Sequence, residues 1–357
     1  VWYTLKEILC DREIACDSAV LQMISADEYQ AYGTTLINFA EKISSFSSPL
    51  AVGMSGNFRQ MKRRILNIAV FRKETLYQKM RALIIYLVIS AVFIGCTPIL
   101  SIDASTQSVY HFSDTDKNIS LLDISETFGT YDGSFVLYDN NLDSWKIYDL
   151  EEATKRIPPE STYKIYDALL GLESGIITPE HSSMTWNGDA FPFPSWEADQ
   201  DLNSAMQNSV NWYFQAIDSQ LGINRVQEFL NKIEYGNQTT SSNLDLYWSD
   251  FSLKISPLEQ VTLLKKFNTN EFHLNFQNVF SVKNAIKIAS TPNGNFYGKT
   301  GTGRVNGQDI NGWFIGYVET SDNSYYFATN IQSDSNATGK KAFEITSDIL
   351  KKLHIWN

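Results

Sequence analysis

Ser161 and Lys164 stand three residues apart in the run Ser161-Thr162-Tyr163-Lys164. On a helix that spacing puts a hydroxyl and an amine on one face, one turn from each other. A serine hydroxyl becomes a good nucleophile only when a neighbouring base takes its proton, and a neutral amine can be that base. The pair therefore suggests acyl transfer through a serine ester. Alone the pattern is common, and a Ser after Pro158-Pro159 would serve equally well as a helix cap. Its meaning depends on what accompanies it.

Other hydrolytic chemistries find little support. The four histidines are His111, His181, His273 and His354, and no two have the His-x-x-x-His spacing of a zinc-hydrolase helix. No Gly-x-Ser-x-Gly elbow supports a histidine-based serine triad. Cys10, Cys16 and Cys96 all fall in the first third of the chain, so the remainder owes nothing to disulfides. The net charge of −11 is uneven: residues 1–105 carry 11 Lys and Arg against 9 Asp and Glu, and the rest carry 18 against 31. Such an acidic body argues against nucleic acid as a partner.

Several elements must position the pair. Residues 1–81 read as the end of a larger domain followed by a basic loop, since the chain enters at Val1 directly into a helical pattern. Asp11 to Asp17 is charged and periodic, as in a solvated helix that buries Ile14. Ser44 to Gly56 is a loop, and Arg59, Lys62, Arg63, Arg64, Arg72, Lys73, Lys79 and Arg81 follow it. Residues 82–102 carry no charge and are long enough to span a bilayer, with the basic flank placed in the cytoplasm and the acidic body outside. A lipoprotein signal starting at Met80 is the competing reading. After a linker over 103–118, the body at 119–357 opens with a hairpin, Gly133–Tyr138 and Trp145–Tyr148. Helices follow over 199–235, then strands at Asn295–Lys299, Trp313–Glu319 and Tyr325–Ile331, and a helix from Lys340 to Leu353. This order predicts an α+β domain: an antiparallel sheet flanked by helices, its edges supplied by the two ends of the domain.

Three further motifs follow Ser161 and Lys164: Ser209-Val210-Asn211, Tyr235-Gly236-Asn237 and Lys299-Thr300-Gly301-Thr302-Gly303. In that order they resemble the penicillin-recognising serine enzymes. Trp248, Ser252-Leu253-Lys254-Ile255-Ser256 before Glu259-Gln260, and Asn311-Gly312-Trp313-Phe314-Ile315-Gly316 narrow the resemblance to the class D, oxacillinase-like branch. Within it the chain looks most like the integral-membrane β-lactam sensor-transducers, which induce resistance in Gram-positive bacteria. Asn211 points there because hydrolysing class D enzymes usually have an apolar residue at that position. The membrane span points the same way, as does Arg12-Glu13-Ile14-Ala15-Cys16-Asp17, which resembles the end of the family's membrane zinc peptidase.

The resemblance implies roles. Ser161 would attack the β-lactam carbonyl, with its own N–H and that of Thr302 as oxyanion donors. Lys164 would be the base, and would capture CO2 as a carbamate held by the Trp248 indole. Ser209 would relay a proton between Lys164, the lactam nitrogen and Lys299, while Thr300, Gly301 and Thr302 would bind the drug. Asn211 would compete for the hydrogen bonds of Lys164 and shorten the life of the carbamate. No other cofactor is implied: zinc belongs to a peptidase core upstream of Val1, where Glu13 would be one ligand. The expected function is a β-lactam receptor whose persistent acyl-enzyme signals across the membrane to the peptidase and a cytoplasmic repressor. A membrane-tethered class D β-lactamase and a peptidoglycan transpeptidase are the alternatives.

Overall fold

The computed structural model describes residues 2–44, 58–73, 77, 80–81, 83–87, 89–90, 108–113, 117–241 and 243–357. The chain divides into two compact units, residues 1–98 and 99–357.

The first unit contains α1 (Trp2–Met23), α2 (Tyr29–Ser44) and α3 (Phe58–Val70). One buried charge pair ties all three together. Arg64 on α3 gives two N–H groups to the Asp17 carboxylate on α1, each at 2.7 Å, and the Tyr32 hydroxyl on α2 adds a third at 2.9 Å. A buried carboxylate needs this many donors to offset its lost hydration. So neither the acidic stretch nor the basic run is simply a solvated face. Glu13, the expected zinc ligand, lies 3.0 Å from Arg12 and 3.7 Å from Arg64. No group of three or more metal-ligating residues occurs among the described residues. Cys10 and Cys16 are free thiols. Ser44 ends α2, and residues 45–56 of the expected loop, Cys96 and most of the apolar stretch 82–102 fall outside the described residues. Among the described residues, no helix is long and apolar enough to cross a membrane.

The second unit is built on a seven-stranded sheet. Its strands are β1 (Asn118–Leu121), β2 (Asp132–Asp139), β3 (Ser144–Tyr148), β4 (Lys287–Thr291), β5 (Gly294–Val305), β6 (Gln308–Thr320) and β7 (Ser324–Gln332). Their order is β1-β3-β2-β7-β6-β5-β4. The expectation for the edges is half met: β1, from the N-terminal end of the domain, is one edge, but β4 is the other, and the last strand β7 pairs with β2 in the middle of the sheet. Pairing is antiparallel except for β1, which runs parallel to β3.

Seven of the eight residues of β2 are buried, without the alternation of a half-exposed strand, because both faces of the sheet are covered. Val136 and Tyr138 join a core under the central helices, while Phe135 and Leu137 join a second core on the other face. β6 divides in the same way, with Trp313, Ile315 and Tyr317 on one side and Phe314 and Val318 on the other. The second face is closed by the C-terminal helix, Gly339–Lys352. The first is closed by helices that include Lys164–Glu173, Asn211–Leu221, Ile223–Ile233 and Pro257–Asn268. The expected α+β class and both flanking layers are present. We label these helices α4 (Lys164–Glu173), α5 (Asn211–Leu221), α6 (Ile223–Ile233), α7 (Pro257–Asn268) and α8 (Gly339–Lys352).

α4 is buried from Lys164 to Leu172, so it is a central helix with no solvent face. A Cβ on Gly171 would meet Ile217 at 2.9 Å, so this glycine is what lets α4 and α5 lie so close. That approach brings the two motifs nearest the chemistry together.

Candidate active site

The turn carrying Ser161 is fastened from outside. Ile157 exchanges both backbone hydrogen bonds with Ile255, at 3.1 and 2.9 Å. The Pro158 carbonyl accepts from the Trp313 indole at 2.8 Å and from the Asn311 amide at 3.1 Å. Pro158 and Pro159 bring no N–H that needs a partner. Glu160 then adopts φ 52°, an unusual value for a residue with a side chain, and gives its N–H to the Trp248 carbonyl at 3.1 Å. The 3-10 turn Glu160–Tyr163 follows and runs directly into α4.

Lys164 emerges one turn later with its Nζ 3.0 Å from Ser161 Oγ. Nζ also lies 2.7 Å from the Ser209 carbonyl, 2.5 Å from Asn211 Oδ1 and 3.1 Å from Ser209 Oγ. The carbonyl and the amide oxygen can only accept. A neutral amine has two N–H bonds and one lone pair. Spending both N–H bonds on those oxygens leaves the one lone pair for a hydroxyl proton, and Ser161 Oγ is the nearer of the two hydroxyls. Lys164 is 1% exposed, and burial, then the neighbouring Lys299, push its pKa well below the ordinary lysine value. The geometry and the electrostatics both favour a lysine that can take a proton.

Ser209 sits at φ 55° in the turn before α5. Trp196 braces that turn, giving its indole N–H to the Asn208 carbonyl at 3.0 Å and accepting the Trp212 indole at 2.9 Å. Ser209 Oγ also receives Lys299 Nζ at 2.9 Å, so one hydroxyl bridges two lysines. Burial alone brings Lys299 down to about 7.

β5 passes the nucleophile with no side chain between. A Cβ on Gly301 would lie 3.1 Å from the Pro159 carbonyl and 3.3 Å from Ser161 N. Gly298 gives its N–H outwards to Ile286 O at 2.9 Å, and the two-residue period of a strand presents the N–H of Thr302 on the same edge. Ser161 N–H, at the start of a helical turn, has no intrahelical acceptor. These two donors flank the place where an oxyanion would form. The hydroxyls of Thr300 and Thr302 are not in the cluster. Thr302 Oγ1 accepts from Gly339 N at 2.9 Å, where α8 begins, and Thr302 itself is exposed. Beside Lys299 and Thr300 opens a cavity of about 380 Å³ lined by Met206, Gln207, Ile286 and Phe314.

Trp248 lies near-parallel to Tyr163 at 6.2 Å and edge-on to Tyr247 at 5.2 Å, in the wall behind the site. Its carbonyl is what touches the nucleophile turn. Tyr235-Gly236-Asn237 works from further away: Asn237 donates to Ser252 O at 2.7 Å and accepts from Lys254 N at 2.9 Å. It holds the segment whose Ile255 pairs with Ile157. Ser256 and Glu259 form a capping box on α7, and Gln260 donates to Thr162 Oγ1 at 3.0 Å.

Three carboxylic acids beside the site escaped the sequence reading: Glu160, Asp167 and Asp218. Burial pushes Glu160 up to about 8, against Asn311 and Lys164, which hold it down. The available signal was an acid written directly before Ser161.

Residues 130–351 match the family described as Penicillin binding protein transpeptidase domain, and residues 1–68 match BlaR1 peptidase M56. Regulatory protein BlaR1 of Bacillus licheniformis is 42% identical over 100% of this chain and 59% of its own length. The chain thus spans about three-fifths of that relative. The solved C-terminal domain of the Bacillus licheniformis BlaR penicillin-receptor superposes with a TM-score of 0.66 at 45% identity, covering 68% of this chain and 99% of that one. The class D beta-lactamase BAT-2 superposes at 0.62 with 36% identity over 66% and 97%.

Proposed function

The chain belongs to the penicillin binding protein transpeptidase-domain family and stands beside the BlaR penicillin-receptor within it, and from that premise we propose that it is a β-lactam receptor. Ser161 attacks the lactam carbonyl while Lys164 takes the hydroxyl proton. The N–H groups of Ser161 and Thr302 receive the oxyanion. As the ring opens, Ser209 passes a proton to the lactam nitrogen and is resupplied by Lys164 or Lys299. The drug's carboxylate is held by Lys299 and by the exposed Thr302, whose hydroxyl accepts from Gly339 N and keeps its own proton to donate.

Persistence of the ester is what separates a receptor from a hydrolase. The observation that carries it is the 2.5 Å contact between Lys164 Nζ and Asn211 Oδ1. CO2, bound to Lys164 as a carbamate, would supply a base that activates water for ester hydrolysis. Carboxylation replaces one N–H of the amine. Lys164 must then release Asn211 or the Ser209 carbonyl, both of which it already holds. Asn211 therefore weights the site against the carbamate and against turnover. The signal in this reading passes through the apolar stretch 82–102 to a cytoplasmic zinc peptidase that acts on a repressor, with the acidic domain outside the cell.

Mixing the chain with excess penicillin tests this. One drug should be bound per chain, with a mass increase that persists and is absent in Ser161→Ala. Rapid multiple turnover would instead make the protein a tethered class D β-lactamase.

A further inference from the structure

The side chain of Glu160 has no part in the acylation steps, yet it lies between the nucleophile turn and the sheet. Gly301 and Gly303 stand two apart on β5 and so present the same face. A Cβ on Gly301 would lie 3.1 Å from Glu160 Cβ and 3.3 Å from Ser161 N. A Cβ on Gly303 would lie 2.4 Å from Glu160 Oε1 and 2.9 Å from its Cδ. The side chain therefore runs flat along the strand, in a strip that the two glycines leave open. Its far end meets Asn311, which pairs with Gly303 across β5 and β6. Asn311 Nδ2 donates to the Pro158 carbonyl at 3.1 Å and to Glu160 Oε1 at 3.4 Å. Its Oδ1 accepts from Asn330 on β7 at 2.8 Å, and Asn330 Oδ1 accepts from Gln332 at 3.2 Å. Glu160, Asn311 and Asn330 are all buried. A chain of polar contacts thus reaches from the middle of the sheet to the residue before the nucleophile.

We propose that Glu160 is a positioning residue for acylation: seated in the glycine strip and tied to Asn311, it holds the nucleophile turn against β5 and fixes the spacing between the N–H of Ser161 and that of Thr302. Glu160 has φ 52°, a conformation that a residue with a side chain keeps only where its surroundings impose it. The next peptide plane, which carries the Ser161 N–H, takes its direction from that residue. Gly301 faces both Glu160 Cβ and Ser161 N, so a side chain lifted off β5 takes an oxyanion donor with it. Oxyanion donors act on charge that exists only in the transition state, so misplacing one costs rate and not affinity.

The shape of the side chain matters here more than its charge. Burial pushes the acid up to about 8, so at neutral pH it keeps its proton. Oε1 accepts from Asn311, which leaves that proton on Oε2. Glutamine reproduces this arrangement, with an acceptor at Oε1 and a donor in place of the acid O–H, whereas alanine keeps neither the arm nor the contact. This inference rests on the acylation reading and deepens it.

The test is rapid mixing of the full chain with a fluorescent penicillin over a range of concentrations. This separates the dissociation constant of the encounter complex from the limiting rate of acylation. Glu160→Ala should lower the limiting rate by about ten- to a hundredfold and leave the dissociation constant within about twofold of the parent's. Glu160→Gln should restore most of that rate. Gly303→Ala reaches the same contact from the strand, because its methyl would displace the carboxyl. It should slow acylation in the parent background and add little in Glu160→Ala. An unchanged limiting rate in Glu160→Ala overturns the proposal, as does a loss that Glu160→Gln shares in full. Effects of Glu160→Ala and Gly303→Ala that simply multiply overturn it too. If Glu160→Ala does not fold, Gly303→Ala carries the test alone: a slower limiting rate at an unchanged dissociation constant is expected, and its absence sinks the idea. Failure of the parent chain to acylate at all would reject the underlying reading instead, so the two failures are distinguishable.

Discussion

Lys164 Nζ lies closer to Asn211 Oδ1, at 2.5 Å, than to the nucleophile it serves, Ser161 Oγ, at 3.0 Å. The base is held through an oxygen that can only accept hydrogen bonds. That arrangement aims the lone pair at Ser161.

Asn211→Val should therefore turn a trap into a slow hydrolase. Loss of the amide frees Lys164 for carboxylation, and hydrolysis of the acyl-enzyme should rise by at least about tenfold, with acylation largely retained. The check is mass spectrometry of the acylated chain over time, with and without added bicarbonate. An ester as durable as the parent's would remove Asn211 from the account.

Lys164→Ala should leave the fold in place while removing the proton acceptor. Acylation should slow by roughly 10²–10⁴-fold, the usual value of a positioned base. Rapid mixing with a reporter penicillin measures it, and an unchanged rate would refute the role.

Glu160 gives a stability prediction with a definite sign. Its folded-state pKa is about 8, whereas an unfolded glutamate titrates near about 4.3. Between those values the folded chain holds a proton that the unfolded chain has released, so stability falls as pH rises through this window. Glu160→Gln cannot ionise and should escape the loss. Its melting temperature should gain on the parent's from pH about 5 to about 8 and then level off. The difference at the top should be on the order of a few kcal/mol. Parallel melting curves across that range would show that the acid is not buried in neutral form.

Gly236→Ala should damage the site from a distance. Gly236 has φ 52°, and a Cβ there would lie 1.9 Å from the Lys254 carbonyl. Backbone must move, at a cost of about 2 kcal/mol or more, and the segment carrying Trp248 and Ile255 moves with it. Thermal unfolding should drop and acylation should slow together. A fall in stability with wild-type acylation would mean that this turn does not position Ser161.

The sequence made the reacting groups readable because each is written in a short local motif. Ser161 with Lys164, Ser209 with Asn211, and Lys299 with Gly301 are all brought to one point by the fold. It also indicated several of the helices and most strands, since Phe135 to Tyr138 and Trp313 to Val318 are apolar runs, but not the helix Pro257–Asn268. The edges of the sheet were misjudged because pairing of β2 with β7 is long-range and leaves no local pattern. Glu160, Asp167 and Asp218 were missed for a related reason: an acid looks solvated until the packing around it is known. The threonines of β5 lie on one edge with Gly298, a phase that depends on register and not on motif.

The pairing of β2 with β7 also bears on when the site is first complete. Asp139 and Asn323, joined by a 2.8 Å hydrogen bond at one end of these strands, are 184 residues apart. β5, carrying Lys299, joins β2 only through β6 and β7. A nascent chain that has made Ser161 and Lys164 still lacks the strand that closes the sheet, and such distant pairings form late and slowly. Partially synthesised chains should thus fail to acylate until the domain has been translated through β7.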